Sequence, residues 1–333
     1  MSSPLPEWGG PVSNHGMSTK VVFLMQEKWH RAYDSIYDHL EKDFDLRCVP
    51  GTDMDAVVGA LEWADVVFLD CVQDVAAAVS CLPRRGKLVA LLRGFEVHTT
   101  LATVVNWDNV DALCVTSSYL VDLLRFTVSD IASRVDIHIL PTGIDMDHVP
   151  PRERFDPTGK MGFVNDLCYF ANYPLALQCF AAASFDPGLS LHVAGEYAGN
   201  ERERMELALY SDNLIASMGL SNRIHVEGKV RSLFHWLEDK EFFLHTACGA
   251  TSDDLLYLAM ARGVRPIVHH FPGATDLLPQ ELVFDTVDQF RNVLDAVRPF
   301  PSELRDYVAE SRPLSVRLAA VDRLMEGLLA PSP

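Results

Sequence analysis

The chain has 333 residues, enough for two domains with their own cores, and its 48% hydrophobic and 22% charged content is that of a globular protein. A formal net charge of −18 repels phosphate backbones and anionic lipid surfaces, which speaks against general nucleic-acid binding and against electrostatic membrane recruitment. The longest apolar runs, such as LVALL and DVVFL, are strand-sized, so no membrane span is expected. The seven cysteines form no CxxC pair, and Cys71, Cys114 and Cys179 lie in apolar contexts; they read as reduced core residues and point to the cytosol.

In chain order, residues 1–18 are rich in Pro, Gly and Ser and read as a loose tail, not a secretory signal. Strand-length apolar bursts follow: KVVFLM, DLRCV, DVVFLD, KLVALL, ALCVT and DIHIL. Between them lie the helical patterns HRAYDSIYDHLEKDF, DMDAVVGALEWA, DVAAAVSCL and SSYLVDLLRF, the last with Ser117 or Ser118 placed to cap it. This rhythm predicts a parallel sheet covered on both faces. The stretch 146–160 is polar and proline-rich, as a linker would be. The alternation then restarts through MGFVN, PLALQCFAAAS, LSLHVAG, a helix from about Glu201 to Met218, RIHVEG, SLFHWLED, EFFLHTA, DDLLYLAMA and VRPIVHH. One helix from about Ser302 to Leu329 closes the chain. The fold class expected is α/β, with two Rossmann-like doubly wound domains, at 19–148 and 149–300, and a C-terminal helix within 301–333 packing back towards the first. The cleft between the two domains is the default site.

Several signatures are absent from the sequence: GxGxxG after the first strand, GxxxxGK[ST], GxSxG and zinc-spaced His/Cys. His269 and His270 are neighbours on a strand and point to opposite faces, so no metal site is expected. Arg84, Arg85 and Lys87 read as solvated charges flanking a strand. RGFEVHTT (93–100) follows a strand and gathers Arg93, Glu96 and His98, groups that clamp an anion or move a hydroxyl proton; the structural alternative is an Arg–Glu ion pair holding the loop. ILPTGID (139–145) ends a strand in a tight turn whose Gly143 permits close backbone approach. LHVAGEY (191–197) places Gly195 and Glu196 at a strand's carboxyl end, where a carboxylate accepts from sugar or ribose hydroxyls. In ATSDDLLYLAMARG, Thr251 or Ser252 caps a helix whose amino terminus favours an anion, although Asp253 and Asp254 already bring negative charge there.

The order and spacing of these strings, from Lys20 to about Leu329, resemble the GT-B glycosyltransferases, in particular the family-4 retaining glycosyltransferases. RGFEVHTT followed by VNWDNVDALCVTSSYLVDLL, then ILPTGID with Thr142 in an Asn place, then AMARGVRPIVHHFPGATDLLP with Gly273 in its turn, follow the family's sequence of segments. The resemblance implies an acceptor in the first domain and a nucleotide-sugar donor in the second, retention at the anomeric carbon, an unidentified hydroxyl acceptor and no essential metal. It also implies an Arg and a Lys on the leaving diphosphate and two glutamates on the sugar, because charge develops at both places in the transition state. Here Ala250 and Leu258 stand in the glutamate places, Asn165 or Asp166 in the Arg place, and Ala171–Asn172 in the Lys place. Lys229, Arg231, Arg262 and Arg265 are the substitute cations. The resemblance therefore gives Arg93, Glu96 and His98 to the acceptor side. It gives Gly143, Asn165, Asn172, Gly195, Glu196, Arg231, Thr251, Ser252, Asp253, Arg265 and Gly273 to the donor side. Two alternatives stay open: a non-catalytic binding or assembly subunit that kept the fold, and a glycosyltransferase acting on modified nucleic-acid bases.

Overall fold

The computed structural model describes residues 19–25, 34–72, 74–152, 157–184, 186–249, 253–296 and 301–330. The first half runs β1 (Lys20–Met25), α1 (Asp34–Leu40), β2 (Asp45–Pro50), α2 (Met54–Trp63), β3 (Val66–Leu69), α3 (Asp74–Val79), β4 (Lys87–Leu91), β5 (Ala112–Val115), α4 (Ser118–Leu124), α5 (Ile131–Arg134) and β6 (Asp136–Ile139). Every pairing is parallel, in the order β2-β1-β3-β4-β5-β6. All four residues of β3 and of β5 are buried, the signature of strands covered by helices on both faces.

The second half runs β7 (Lys160–Val164), α6 (Tyr173–Ala183), β8 (Ser190–Ala194), α7 (Glu201–Ser217), β9 (Ile224–Gly228), α8 (Leu233–Trp236), β10 (Phe242–His245), α9 (Asp253–Ala261), β11 (Arg265–His269), α10 (Ala274–Leu277), β12 (Val283–Phe284) and α11 (Val287–Asp295). Its sheet is also parallel, in the order β12-β11-β10-β7-β8-β9. Counted from β7, this is the strand order of a doubly wound dinucleotide-binding sheet, with the order reversing between β7 and β10. Both sheets are thus the doubly wound parallel sheets that the alternating pattern predicts.

Local chemistry sets the helix starts. Asn200 accepts from the Glu203 N–H at 3.0 Å while the Glu203 carboxylate accepts from the Asn200 N–H at 3.0 Å, a capping box that begins α7. Asp53 caps α2 through the Ala56 N–H at 3.1 Å. Ser117 occupies the N-cap position of α4, but its hydroxyl makes no cap bond, so the expected capping by Ser117 is met in position and not in chemistry.

The chain ends in two helices, α12 (Pro301–Ser311) and α13 (Leu314–Leu329), where the apolar periodicity alone predicted one. Pro313 is the cause, since it has no N–H to give and its ring bars the residue before it from helical geometry. The freed Arg312 carbonyl accepts from the Ile144 N–H at 2.8 Å, and Leu314 N–H donates back to Ile144 O at 3.1 Å. α13 then lays Ala320, Val321, Leu324 and Met325 among Val21, Phe23 and Ile36 of the first sheet's core. A side chain at Gly143 would meet Leu314 Cα at 2.9 Å, so the close approach that glycine permits is that of α13's first turn and not of a ligand.

One apolar core crosses between the halves, with Val97 and Tyr119 on one side and Phe271, Ala274 and Leu277 on the other. Gly273 has φ +86°, and a Cβ there would lie 2.3 Å from the Tyr119 ring. The glycine serves twice at this turn: it takes the left-handed conformation and lets an aromatic ring from the other half lie on its backbone.

Candidate functional site

The first-domain half of the site grows from the carboxyl ends of β3 and β4. Asp70, next after β3, receives the Arg93 guanidinium at 2.8 Å, with both side chains nearly sealed (5% and 11% exposed). Glu96 is buried to 1% exposure in the turn Gly94–His98. One of its oxygens accepts from the Val72 N–H at 3.0 Å and the other from the Arg93 N–H at 2.9 Å. The Arg93–Glu96 ion pair considered from sequence is therefore replaced: Arg93 pairs with Asp70, and Glu96 is tied to backbone amides. Asp70 is the residue that sequence reasoning passed over; its signal was the acid closing the apolar string DVVFLD.

Burial pushes the Glu96 carboxyl up to about 7, outweighing the two amides and the Arg93 charge that favour its ionised form. A carboxyl titrating near 7 in the fold, against 4.5 in the open chain, holds a proton in the folded state that the unfolded state has lost. Its stability contribution is complete below about pH 4.5 and is lost as pH rises through 7, a change of about 3 kcal/mol. The expected result is a slope in Tm between those pH values that flattens in Glu96→Gln, read by thermal melts in matched buffers.

His98, in the same turn, is exposed and faces the second half, where a side chain at Gly249 would lie 3.1 Å from its Nε2. His98 thus reaches the second half.

The second-domain half lies where the strand order reverses. After β7, the segment from Asn165 to Asn172 turns back to start α6. The Leu167 N–H donates to Glu196 O at 2.9 Å, and the Cys248 N–H, beyond β10, donates to Phe170 O at 2.9 Å. Thr246 Oγ donates to the Ala171 and Asn172 carbonyls at 2.9 and 3.1 Å. Asn172 sits in the left-handed region (φ 51°, ψ 44°), the only described non-glycine residue to do so, and Asn tolerates that region better than most. Gly195 is buried, and its alpha carbon packs on the Asn165 carbonyl. Glu196 is exposed and meets Lys229 at 3.5 Å. Arg231 is exposed in the loop after β9. Asn165, Asn172, Gly195 and Glu196 are therefore brought to one sheet end, with Arg231 on the loop beside it.

Other predicted members fall elsewhere. Thr251 and Ser252, like Ala250, lie outside the described residues, and Asp253 opens α9. Arg265 begins β11 and so stands at the amino end of the sheet, away from the crevice; its guanidinium donates to the Val293 carbonyl at 2.5 Å and to those of Leu294 and Ala296 at 3.4 Å. Arg262 donates to Pro150 O at 2.7 Å and to Glu238 at 3.2 Å, a buried brace between the linker and α9. Neither arginine is available to a donor. Leu258, in a glutamate place, packs against the shared core.

Sequence reasoning also passed over His245, the last residue of β10. It is 3% exposed, its ring meets Phe271 edge-on at 5.7 Å, and its Nε2 has no hydrogen-bond partner among the described residues. Burial, with His269 adding to it, pushes its pKa down to about 4, so the ring is neutral at physiological pH. Among the described residues no group of three or more His, Cys, Asp or Glu is arranged to hold a metal ion, and no helix is long and apolar enough to cross a membrane.

No protein-family model matches the chain, and no curated protein matches its sequence. Solved structures do match. HepE of Anabaena, in complex with UDP-glucose, aligns with a TM-score of 0.70 at 13% identity, over 93% of this chain and 100% of that one. Sucrose-phosphate synthase from Thermosynechococcus elongatus aligns with a TM-score of 0.70 at 11% identity, over 94% and 100%. A glycosyltransferase from Rickettsia africae aligns with a TM-score of 0.68 at 9% identity, over 95% and 100%. The two parallel six-stranded sheets, the crevice where the second reverses its strand order, and these full-length matches establish that the chain has the GT-B fold of the glycosyltransferases.

Proposed function

We propose that the protein is a glycosyltransferase that moves a sugar from a nucleotide donor in the second domain to a hydroxyl acceptor held by the first, with retention and without a metal. The observation that carries this reading is that the strand-end loops of the two sheets meet, His98 of the first half standing against Gly249 of the second. HepE, similar in fold along its whole length, holds UDP-glucose. We assign the donor domain to 149–300, on whose α9 the helix α12 packs, and the acceptor domain to 19–148, completed by α13. The seven free cysteines suit a reducing compartment, the cytosol.

Within this reading Gly195 holds the Asn165 strand end beside the donor, Glu196 accepts from its ribose, and Arg231 with Lys229 meets the diphosphate. The amino end of α9, which Asp253 opens, adds amide donors. Arg93 and Glu96 act as positioning groups, since both carboxylate oxygens of Glu96 already accept amide bonds. His98 is the group placed to take the acceptor proton.

A second reading, a GT-B-fold subunit that binds without catalysis, draws on one observation: the cations Arg262 and Arg265 are spent on structural carbonyls. The test is a thermal-shift screen of the full chain with UDP, GDP, ADP and their glucose conjugates, followed by donor hydrolysis assays. A ligand at a hundredfold excess over Kd adds about 2.7 kcal/mol. Stabilisation that is weakened in Arg231→Ala, together with donor turnover, supports the transferase; no shift and no turnover with any donor sinks it. Stabilisation without turnover selects the binding subunit.

A further inference from the structure

A second polar cluster lies on the second sheet, outside the crevice. Along β8, Leu191 and Val193 join the core under α6, so Ser190 and His192 point to the opposite face. On that face the Trp236 ring of α8 lies against β7, where a side chain at Gly162 would meet it at 2.9 Å. Ser190 Oγ and His192 Nε2 are 3.1 Å apart, and His192 Nδ1 and Glu227 Oε1, on β9, are 2.6 Å apart. The other Glu227 oxygen accepts from Trp236 Nε1, which holds the carboxylate in place. Chemistry leaves one arrangement of protons. An ionised carboxylate only accepts, so Nδ1 carries the proton, and the neutral ring turns its Nε2 lone pair to the Ser190 hydroxyl. A hydroxyl that donates to a base oriented by a carboxylate is the geometry of an activated nucleophile.

We infer that Ser190, His192 and Glu227 form a second reactive site, at which Ser190 cleaves small carboxylic esters through an acyl-serine. Ser190 Oγ adds to the ester carbonyl carbon while its proton passes to His192 Nε2. The bond to the alkoxide breaks, and the alkoxide leaves with that proton. Water then adds to the acyl-serine and gives a proton to His192, which returns it to Ser190 Oγ as the acid departs. The backbone N–H groups of Ser190 and Leu191 are engaged, at Gly159 O (3.0 Å) and Arg223 O (2.8 Å). Charge on the carbonyl oxygen therefore falls to Lys160, the register partner of Ser190 on β7, whose half-exposed side chain meets Asp239 at 2.5 Å. Ser190 opens β8 beside the exposed segment 186–188, a shallow place that suits a small ester. The site stands at the amino end of β8 and the proposed donor crevice at the carboxyl ends, so neither reading depends on the other.

The test uses the full chain with a fluorophosphonate probe and with p-nitrophenyl butyrate. The probe is expected to add to Ser190, as mapped by peptide mass spectrometry, and the butyrate to release p-nitrophenolate. Ser190→Ala should lose both label and turnover while keeping Tm and any stabilisation by nucleotides. His192→Gln should slow labelling by about a hundredfold or more. In the parent, labelling should fall as pH falls and His192 takes a proton. Burial holds that event below the ordinary 6.5, Lys240 and His225 add to it, and Glu227 opposes it. Lys160 and Asp239 are the other charges on this side of the site. Glu227→Gln removes the opposing charge and should move the fall to lower pH, a shift in reaction rate that a purely structural carboxylate would not produce. The proposal is overturned if the probe leaves Ser190 unlabelled, if His192→Gln labels as fast as the parent, or if the parent's rate ignores pH below neutrality. The last of these decides the matter even where a variant fails to fold. Absence of nucleotide binding by the parent bears on the transferase reading and leaves the ester result standing.

Discussion

Gly195→Ala is expected to lower stability by about 3 kcal/mol or more, at the upper end of the overpacking range, and Tm by about 10 °C. The added Cβ would lie 1.8 Å from the Asn165 carbonyl oxygen. The obstacle is backbone, so no side chain can swing aside. Relief requires β7 and β8 to part at their carboxyl ends, where Asn165 N–H meets Ala194 O at 3.2 Å, and shifts Gly195 against β9, where its N–H meets Gly228 O at 3.0 Å. Those are the bonds that shape the proposed donor crevice, so nucleotide binding should fall with stability. Gly327→Ala is the control: nothing lies within 4 Å of its added Cβ, it sits inside α13, and it should gain a few tenths to about 1 kcal/mol from helix propensity. Urea or thermal unfolding of the two variants separates steric conflict from a general effect of replacing glycine. Equal stability of Gly195→Ala and the parent would contradict the described strand ends.

The second large effect is expected at the Asp70–Arg93 pair. Removing one partner leaves the other's charge in a nearly sealed site, which typically costs about 3–5 kcal/mol. Arg93→Met should therefore unfold at markedly lower urea than the parent. It should also push the Glu96 carboxyl higher, because the Arg93 charge is one of the influences holding it down. The double replacement Asp70→Asn/Arg93→Met should recover much of the loss, because no lone charge is then buried. A double variant as unstable as the sum of the singles would mean that the pair does not act as a unit. NMR titration of Glu96 in the Arg93 variant reports the electrostatic part independently of stability.

Much of the architecture was legible along the chain because it depends on period. Strings such as DVVFLD and KLVALL are short, apolar, flanked by polar breaks and separated by helix-length segments, the pattern of buried parallel strands. The break at Pro313 is also legible in SRPLS, but an apolar pattern that continues on both sides hides it from a reading by periodicity alone. Arg265 shows the limit of position by analogy. It matches a family cation in the string, yet as the first residue of its strand it must stand at the far end of the sheet from the crevice.

What the sequence determined by itself is the alternation of strands and helices, hence two doubly wound sheets. These are properties of neighbours in the chain, and side-chain periodicity expresses them directly. What only the tertiary structure decided is which distant groups meet: Arg93 with Asp70 and not with Glu96, Gly143 with α13, Tyr119 with Gly273, and His98 with Gly249. Such contacts depend on how strand ends align and how two domains pack, and neither is written in any one segment. The chemistry of the cleft was therefore present in the residues but acquired its partners only in the fold.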